Sequence, residues 1–180
     1  KELAAFEKEP NAVIITTKDL INHAFSKTPL FVCFVAVLKT KIVGMSLGYP
    51  RYSTWKGPTM HLEDLIVTSN KRGLGIGQAL FSNFIKYSQL KGVKRIEWAV
   101  LNWNVDAIKF YQSNGAKVYD DWNIAQMDES AINNFIKTIP ECDDNVKGRG
   151  VIICGGDIHY KSGSIIVNLL QKYNKDINIE

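Results

Sequence analysis

The chain has 180 residues, 46% of them hydrophobic, and a formal net charge of +4. That is enough for one domain, or one domain and a fragment, with an ordinary core. No apolar run reaches the roughly 18 residues of a membrane span, and no signal-peptide pattern opens the chain, so a cytoplasmic protein without a membrane partner is expected. Lysines and arginines are spread along the sequence, which argues against a nucleic-acid partner. Cys33, Cys142 and Cys154 are too few and too far apart for a disulfide framework or a zinc site. Cys33 and Cys154 fall in apolar runs, which predict buried free thiols. His23, His61 and His159 are scattered, and no metal site is expected.

Residues 1–8 read as the end of a helix, and because the first residue is Lys1 the chain is taken to lack its true N-terminus. A second helix opens at Thr17, with Thr16 or Thr17 as its cap and Asp19 in its first turn. Residues 31–38 form a Val- and Phe-rich strand, Thr40 and Lys41 a turn, and residues 42–49 the returning strand of a hairpin. Residues 50–58 are expected as a loop carrying Arg51, Tyr52, Trp55 and Lys56. Residues 60–68 follow as a strand, 78–90 as an amphipathic helix, and 95–101 as a strand reached by crossover, hence parallel to its neighbour. Residues 104–113 are helical, stopped by Asn114 and Gly115. Residues 116–119 and 122–127 are predicted as closing strands, and Asp128 caps a last helix over 129–137. The fold class is α/β (α+β): a mixed, mostly antiparallel sheet flanked by helices.

Between the strand at 62–67 and the helix at 78–90 stands Arg72-Gly73-Leu74-Gly75-Ile76-Gly77. A strand, a glycine turn and a helix N-terminus together make an anion site. Glycines let the backbone approach a phosphate, and free N–H groups at the positive end of the helix dipole hold it. A P-loop would end in Gly-Lys-Ser/Thr, but Gln78 and Ala79 follow Gly77. A dinucleotide fingerprint would space its glycines G-x-G-x-x-G, whereas these are spaced G-x-G-x-G. The pattern resembles the pyrophosphate loop of the GNAT acyltransferases, whose Arg/Gln-x-x-Gly-x-Gly/Ala positions are filled by Arg72, Gly75 and Gly77.

The resemblance extends over residues 1–137. Leu62-Glu63-Asp64-Leu65-Ile66-Val67 precedes the loop. Ala99-Val100-Leu101-Asn102-Trp103-Asn104 and Ile108-Lys109-Phe110-Tyr111 follow it, and Tyr52-Ser53-Thr54-Trp55-Lys56-Gly57 stands upstream. Together these look like the diamine acetyltransferase branch, the spermidine/spermine and thialysine N-acetyltransferases. The family implies acetyl-CoA as acetyl donor, a small-molecule amine acceptor and a homodimer. By position, Leu65, Ile66 and Val67 would pair with the pantetheine arm as an added strand does. Arg72, Gly73, Leu74, Gly75, Ile76, Gly77 and Gln78 would wrap the pyrophosphate. Asn104, Val105, Asp106 and Ala107 would line the other side. The first strand of the family fold would be missing here.

Acetyl transfer needs an amine that has lost a proton, a polarised thioester and a stabilised thiolate. Glu63 is the candidate for amine capture and proton removal, through water or on an amine of lowered pKa, because direct transfer to a carboxylate is uphill by about six units. An acid that only attracts the cation is the alternative role. Tyr111 is the candidate general acid, the alternative being a core aromatic. The Leu65 N–H would polarise the carbonyl. A regular strand would turn Asp64 to the opposite face, and a bulge, which the family carries here, would change that. Family acceptor positions fall on Phe6, Glu7, Glu63, Glu97, Trp98 and Ala99, with Trp55 nearby. Arg51 and Lys56 beside Trp55 disfavour a long polycation, and they either meet a substrate carboxylate or are merely solvated. A catalytically silent acyl-CoA-binding module and a protein or peptide acetyltransferase are the competing readings.

Residues 140–150 read as a linker. Residues 147–157, including Gly148, Gly150, Gly155 and Gly156, resemble the opening strand and turn of mannosyltransferase-like glycosyltransferases. Residues 151–180 are accordingly expected to begin a second α/β unit after an acetyltransferase domain at 1–139.

Overall fold

A computed structural model describes residues 1–138, which fall in two compact units, Lys1–Tyr119 and the part of the second beginning at Asp120. The linker and glycosyltransferase-like segment expected over 140–180 lie outside the described residues.

The first unit opens with α1 (Glu2–Phe6) and α2 (Thr17–Ala24). Thr16 caps α2 in a reciprocal arrangement: its hydroxyl accepts from the Asp19 N–H at 3.2 Å, and the Asp19 carboxylate accepts from the Thr16 N–H at 2.9 Å. Next come β1 (Val32–Leu38), β2 (Lys41–Ser53) and β3 (Gly57–Val67), consecutive antiparallel neighbours. Helix α3 (Ile76–Leu90) crosses over to β4 (Ile96–Glu97), which lies parallel to β3. Helix α4 (Val105–Ser113) follows, begun by Asn104 and ended at Asn114 and Gly115, where φ is +86°. The sheet order is β1-β2-β3-β4, the mixed sheet that the sequence predicts.

Helix α3 lies on one face of the sheet because β2 offers it bare backbone. A Cβ on Gly48 would stand 2.4 Å from the Phe84 ring and 2.3 Å from the His61 carbonyl oxygen. One on Gly44 would stand 2.8 Å from the Ile66 carbonyl oxygen and 3.1 Å from Leu80. Between them the buried Ser46 hydroxyl donates to the Leu80 carbonyl at 3.4 Å. Phe84 is thereby completely enclosed and, with Met60, Leu62, Phe81 and Tyr111, forms the core. A phenyl group so buried stabilises the fold by about 2–3 kcal/mol. The start of α3 is tied to the end of α4 by reciprocal amide bonds between Gln78 and Asn114, at 2.8 and 3.2 Å.

Several expectations need correction. Residues 50–58 are mostly strand: Arg51 pairs with Thr59, Tyr52 with Pro58 and Ser53 with Gly57. Only Thr54, Trp55 and Lys56 turn, and Gly57 at φ +72° completes the reversal. The strand predicted over 95–101 is paired only at Ile96 and Glu97. Residues 116–119 and 122–127 are not strands. Their apolar content suits a pleated surface, but a strand also needs a ladder partner, and none pairs with them among the described residues. Cys33 is exposed rather than buried, because it alternates with Val32 and Phe34, whose side chains pack towards the core from edge strand β1. In the second unit Asp128 caps α5 (Glu129–Thr138), accepting from the Ala131 N–H at 2.7 Å.

Candidate active site

Beyond β3 the chain makes a short 3-10 turn (Ser69–Lys71) and passes through Arg72, Gly73 and Leu74 into α3. Gly73 and Gly75 have φ of +76° and +75°, and nothing lies within 4 Å of where a Cβ would be. This backbone is left-handed and uncovered, as a glycine loop requires. Gly75 is itself the N-cap, so no side chain caps α3. Among the described residues no backbone acceptor takes the N–H groups of Ile76, Gly77 and Gln78. Free donors at a positive helix end, flanked by Lys71 and Arg72, suit a phosphate. The Arg72 Nε donates to the Val67 carbonyl at 3.0 Å and fastens the loop to the strand end.

The neighbouring edge is also open. Among the described residues β3 pairs with β4 only at Met60 and His61, so Leu65, Ile66 and Val67 have no described strand on that side. An extended chain bearing amides can add to such an edge. Helix α4 begins after β4, where Asn104 Oδ1 takes the Ala107 N–H at 3.3 Å, with Val105 and Asp106 exposed in the same first turn. The Phe6 ring lies 5.5 Å from that of Trp103, just before Asn104, and 5.1 Å under the Arg72 guanidinium. Phe6 therefore links α1 to the residues that precede both helix starts. A phosphate-bearing ligand with an amide arm fits this combination of bare loop and bare edge.

An acidic group adjoins the edge. The pairing of β2 with β3 jumps from Leu47–Asp64 to Gly48–Leu62, so Glu63 is the extra residue of a β-bulge. Leu62 and Leu65 both pack towards the core, and the bulge therefore leaves Glu63 and Asp64 together on the face away from α3. Burial pushes the Asp64 carboxyl up to about 6, with help from the negative charges of Glu63 and Glu7. The bulge thus sets two carboxylates side by side, with the charge of Glu7 felt at Asp64, and their negative charge is complementary to a cation.

Tyr111 sits on the α3 side. Its ring is 4.8 Å from that of Trp98 and 5.8 Å from that of Phe81, and burial pushes its hydroxyl up to about 12. Trp98 is therefore a packing partner of Tyr111. Ala99 is exposed, and Trp55 stands 81% exposed at the tip of the β2–β3 hairpin, apart from the carboxylates. Glu97 is held by two arginines, Arg51 Nη1 at 2.8 Å and Arg95 Nε at 2.9 Å.

Sequence reading passed over Tyr49 and His61 and assigned Arg51 to a loop. Arg51 Nη1 lies 3.2 Å from His61 Nδ1, and His61 Nε2 lies 3.6 Å from Glu63 Oε2. The Tyr49 hydroxyl faces the same carboxylate, and its ring lies 5.2 Å from that of His61. The signal was present: polar residues recur at every second position on two otherwise apolar strands, which marks one polar face.

Comparison with known proteins agrees with this geometry. Residues 3–116 match the model of the acetyltransferase (GNAT) family. A thialysine N-epsilon-acetyltransferase of Caenorhabditis elegans is 37% identical over 142 residues, covering 74% of this chain and 84% of the relative. The Bos taurus protein of the same name is 35% identical over 125 residues, covering 65% and 74%. Among solved structures, an integron cassette protein from the mobile metagenome of Vibrio cholerae superposes with a TM-score of 0.63 at 25% identity, covering 76% of this chain and 86% of that one. The chain belongs to the acetyltransferase (GNAT) family and is an acetyl-CoA-dependent N-acetyltransferase of an amine.

Proposed function

We propose that this protein acetylates the primary amine of a small lysine-like or diamine acceptor, by direct attack in a ternary complex. The observation that carries the reading is the bulge that sets Glu63 and Asp64 on one face beside the edge of Leu65, Ile66 and Val67. The thialysine acetyltransferase relatives support an amine of that size.

In this reading residues 72–78 hold the pyrophosphate by backbone N–H groups, and Asn104, Val105, Asp106 and Ala107 flank it. Leu65, Ile66 and Val67 hold the pantetheine arm, and the Leu65 N–H donates to the thioester oxygen. Acetyl-CoA supplies the activated acyl group. Glu63 binds the ammonium and takes its proton through water, while Glu7 and Asp64 add negative charge. Of the other acceptor positions, Phe6 and Ala99 stay in the reading, whereas Trp98 packs on Tyr111, Trp55 stands at the hairpin tip and the Glu97 carboxylate is taken by Arg51 and Arg95, so the reading gives these three no direct contact with the amine. Tyr111 keeps its proton at every working pH and donates a hydrogen bond to the departing sulfur. With a hydroxyl near 12 against a thiol near about 8.5, stabilisation by that hydrogen bond is favoured over full proton transfer. Tyr111 lies on the α3 face and Glu63 on the other, so in this reading the donor sulfur and the amine meet from opposite sides of the β3 edge. The reading includes a homodimer and a cytoplasmic location, where an exposed thiol such as Cys33 stays reduced. It also keeps an acetyltransferase domain over 1–139, ahead of a second α/β segment.

The test is CoA release from acetyl-CoA by the full chain against thialysine, lysine, ornithine, putrescine, spermidine and spermine. Turnover on a lysine-like or diamine acceptor that falls sharply in Tyr111→Phe supports the reading. Acetyl-CoA binding without turnover on any of these amines overturns it in favour of a binding module or a macromolecular acceptor.

A further inference from the structure

The face of the sheet away from α3 carries a chain of polar contacts that ends at Glu63, and its members Arg95, Arg51, His61 and Tyr49 have no role in the acetyl transfer described above. It starts at Arg95 on β4, whose Nε lies 2.9 Å from Glu97. The other oxygen of Glu97 meets Arg51 Nη1 of β2 at 2.8 Å. The same Arg51 nitrogen stands 3.2 Å from His61 Nδ1 of β3, and His61 Nε2 faces Glu63 at 3.6 Å. Tyr49 of β2 completes the surroundings of the imidazole.

A guanidinium is always protonated and can only donate. The His61 nitrogen facing it must therefore be the acceptor, Nδ1 with its lone pair. The ring's single proton then sits on Nε2, aimed at Glu63. Protonating Nδ1 would set an N–H against the N–H of Arg51 and a positive charge against its guanidinium.

We propose that Arg51 and His61 are positioning residues for Glu63: Arg51 locks His61 in its neutral form with the proton on Nε2, and the neutral ring orients Glu63 without cancelling its charge. This rests on the reading of Glu63 as the group that collects the amine. An imidazolium at 3.6 Å would occupy Glu63 as an internal counter-ion and compete with the incoming ammonium. Burial and Arg51 hold the His61 ring below the ordinary imidazole value, against the opposing pull of Glu63 and Glu97. Glu97 is shared with Arg95, which weakens that pull and anchors Arg51 in place. The device separates two positive groups from one carboxylate by an uncharged ring.

The experiment uses two readouts on the full chain. Nitrogen and carbon NMR of the His61 imidazole, followed from pH 5 to 8 in the wild type and in Arg51→Met, reads the tautomer and midpoint without any turnover. The wild type is expected as the Nε2–H tautomer with a midpoint below the ordinary value. Arg51→Met is expected to raise that midpoint by about one unit. Acetylation of a saturating series of amine is then measured over the same range. In Arg51→Met the acid limb of kcat/KM should move up by the same amount, costing several-fold near pH 6 and approaching about tenfold towards pH 5 while kcat changes little. Adding His61→Gln to Arg51→Met should return the limb to its wild-type position. An Nδ1–H tautomer in the wild type, or a His61 midpoint unmoved by Arg51→Met, overturns the proposal. If no amine is acetylated, the reading of Glu63 fails, while the NMR result still decides whether Arg51 locks the ring.

Discussion

The rings of Trp98 and Tyr111 lie 4.8 Å apart, inclined at 54°, so the phenol offered as hydrogen-bond donor to the departing sulfur is also part of the core wall formed with Phe81 and Phe110. Replacing Tyr111 with Phe removes one oxygen and leaves this packing in place. Expected is a 10²–10⁴-fold fall in kcat with a melting temperature nearly unchanged. Because the hydroxyl is held near 12, the wild-type rate should show no basic limb from this group below about pH 11. A Tyr111→Phe protein that keeps wild-type kcat would assign Tyr111 to packing alone.

Glu63→Gln keeps the shape of the bulge and removes the charge. Its kcat/KM for the amine should fall by about 10²-fold or more, because both cation capture and proton removal are lost. Acetyl-CoA affinity, read by calorimetry, should stay as it was, since Glu63 precedes the edge residues that would hold the donor. Equal losses in both would mean that the bulge itself had been disturbed.

Asp64 gives a signature in stability rather than in rate. Its pKa is raised from 3.8 to about 6, so the folded state holds this proton more tightly than the unfolded chain does. The associated stability is full below pH 3.8, is lost as pH rises towards 6, and stays lost at neutral pH. Asp64→Asn should therefore stabilise the protein at pH 7, on the order of 1 kcal/mol after allowing for solvent screening. Denaturant melts at pH 7 and pH 4 should show the gain shrinking at the lower pH. A gain independent of pH would refute the electrostatic cause.

Two glycine replacements should separate ligand binding from folding. Gly75→Ala puts a side chain at φ +75° in open space, so strain of about 1 kcal/mol falls on the loop alone. The expected outcome is weaker acetyl-CoA binding with only a slight fall in melting temperature. Gly48→Ala forces a methyl within 2.4 Å of Phe84 and should cost about 1–3 kcal/mol or more of global stability. If the two variants lose stability equally, the loop is a structural element and not an open binding turn.

Local chemistry was well legible in the sequence. The Thr16 cap, the Asp128 cap and the glycine loop each depend on residues close along the chain, and each stands where its residue types predict, whereas Asn104, expected as the first helical residue, is the cap of α4 instead. What escaped depends on pairing at a distance. The β2–β3 hairpin extends through Ser53 because Arg51, Tyr52 and Ser53 meet Thr59, Pro58 and Gly57, a register that no local pattern encodes. The strands expected at 116–119 and 122–127 have suitable residues and no ladder among the described residues. The contacts of Arg51, His61 and Glu97 join three strands, and each residue alone looks like ordinary surface charge. Asp64 joins Glu63 only because of a bulge, which the family resemblance suggested and periodicity did not.

Gly44 and Gly48 give β2 two different jobs on its two sides. On one side the strand is stripped to backbone so that α3 can seat directly on it, and this fixes where the anion loop begins. On the other side Tyr49 and Arg51 reach the charged groups of β3 and β4. Side chains on the second side can be exchanged without moving the first. One strand is thus a fixed seat on one face and a source of charge on the other, so that substitutions at Tyr49 or Arg51 would change the electrostatics beside Glu63 while leaving the seat of α3 in place.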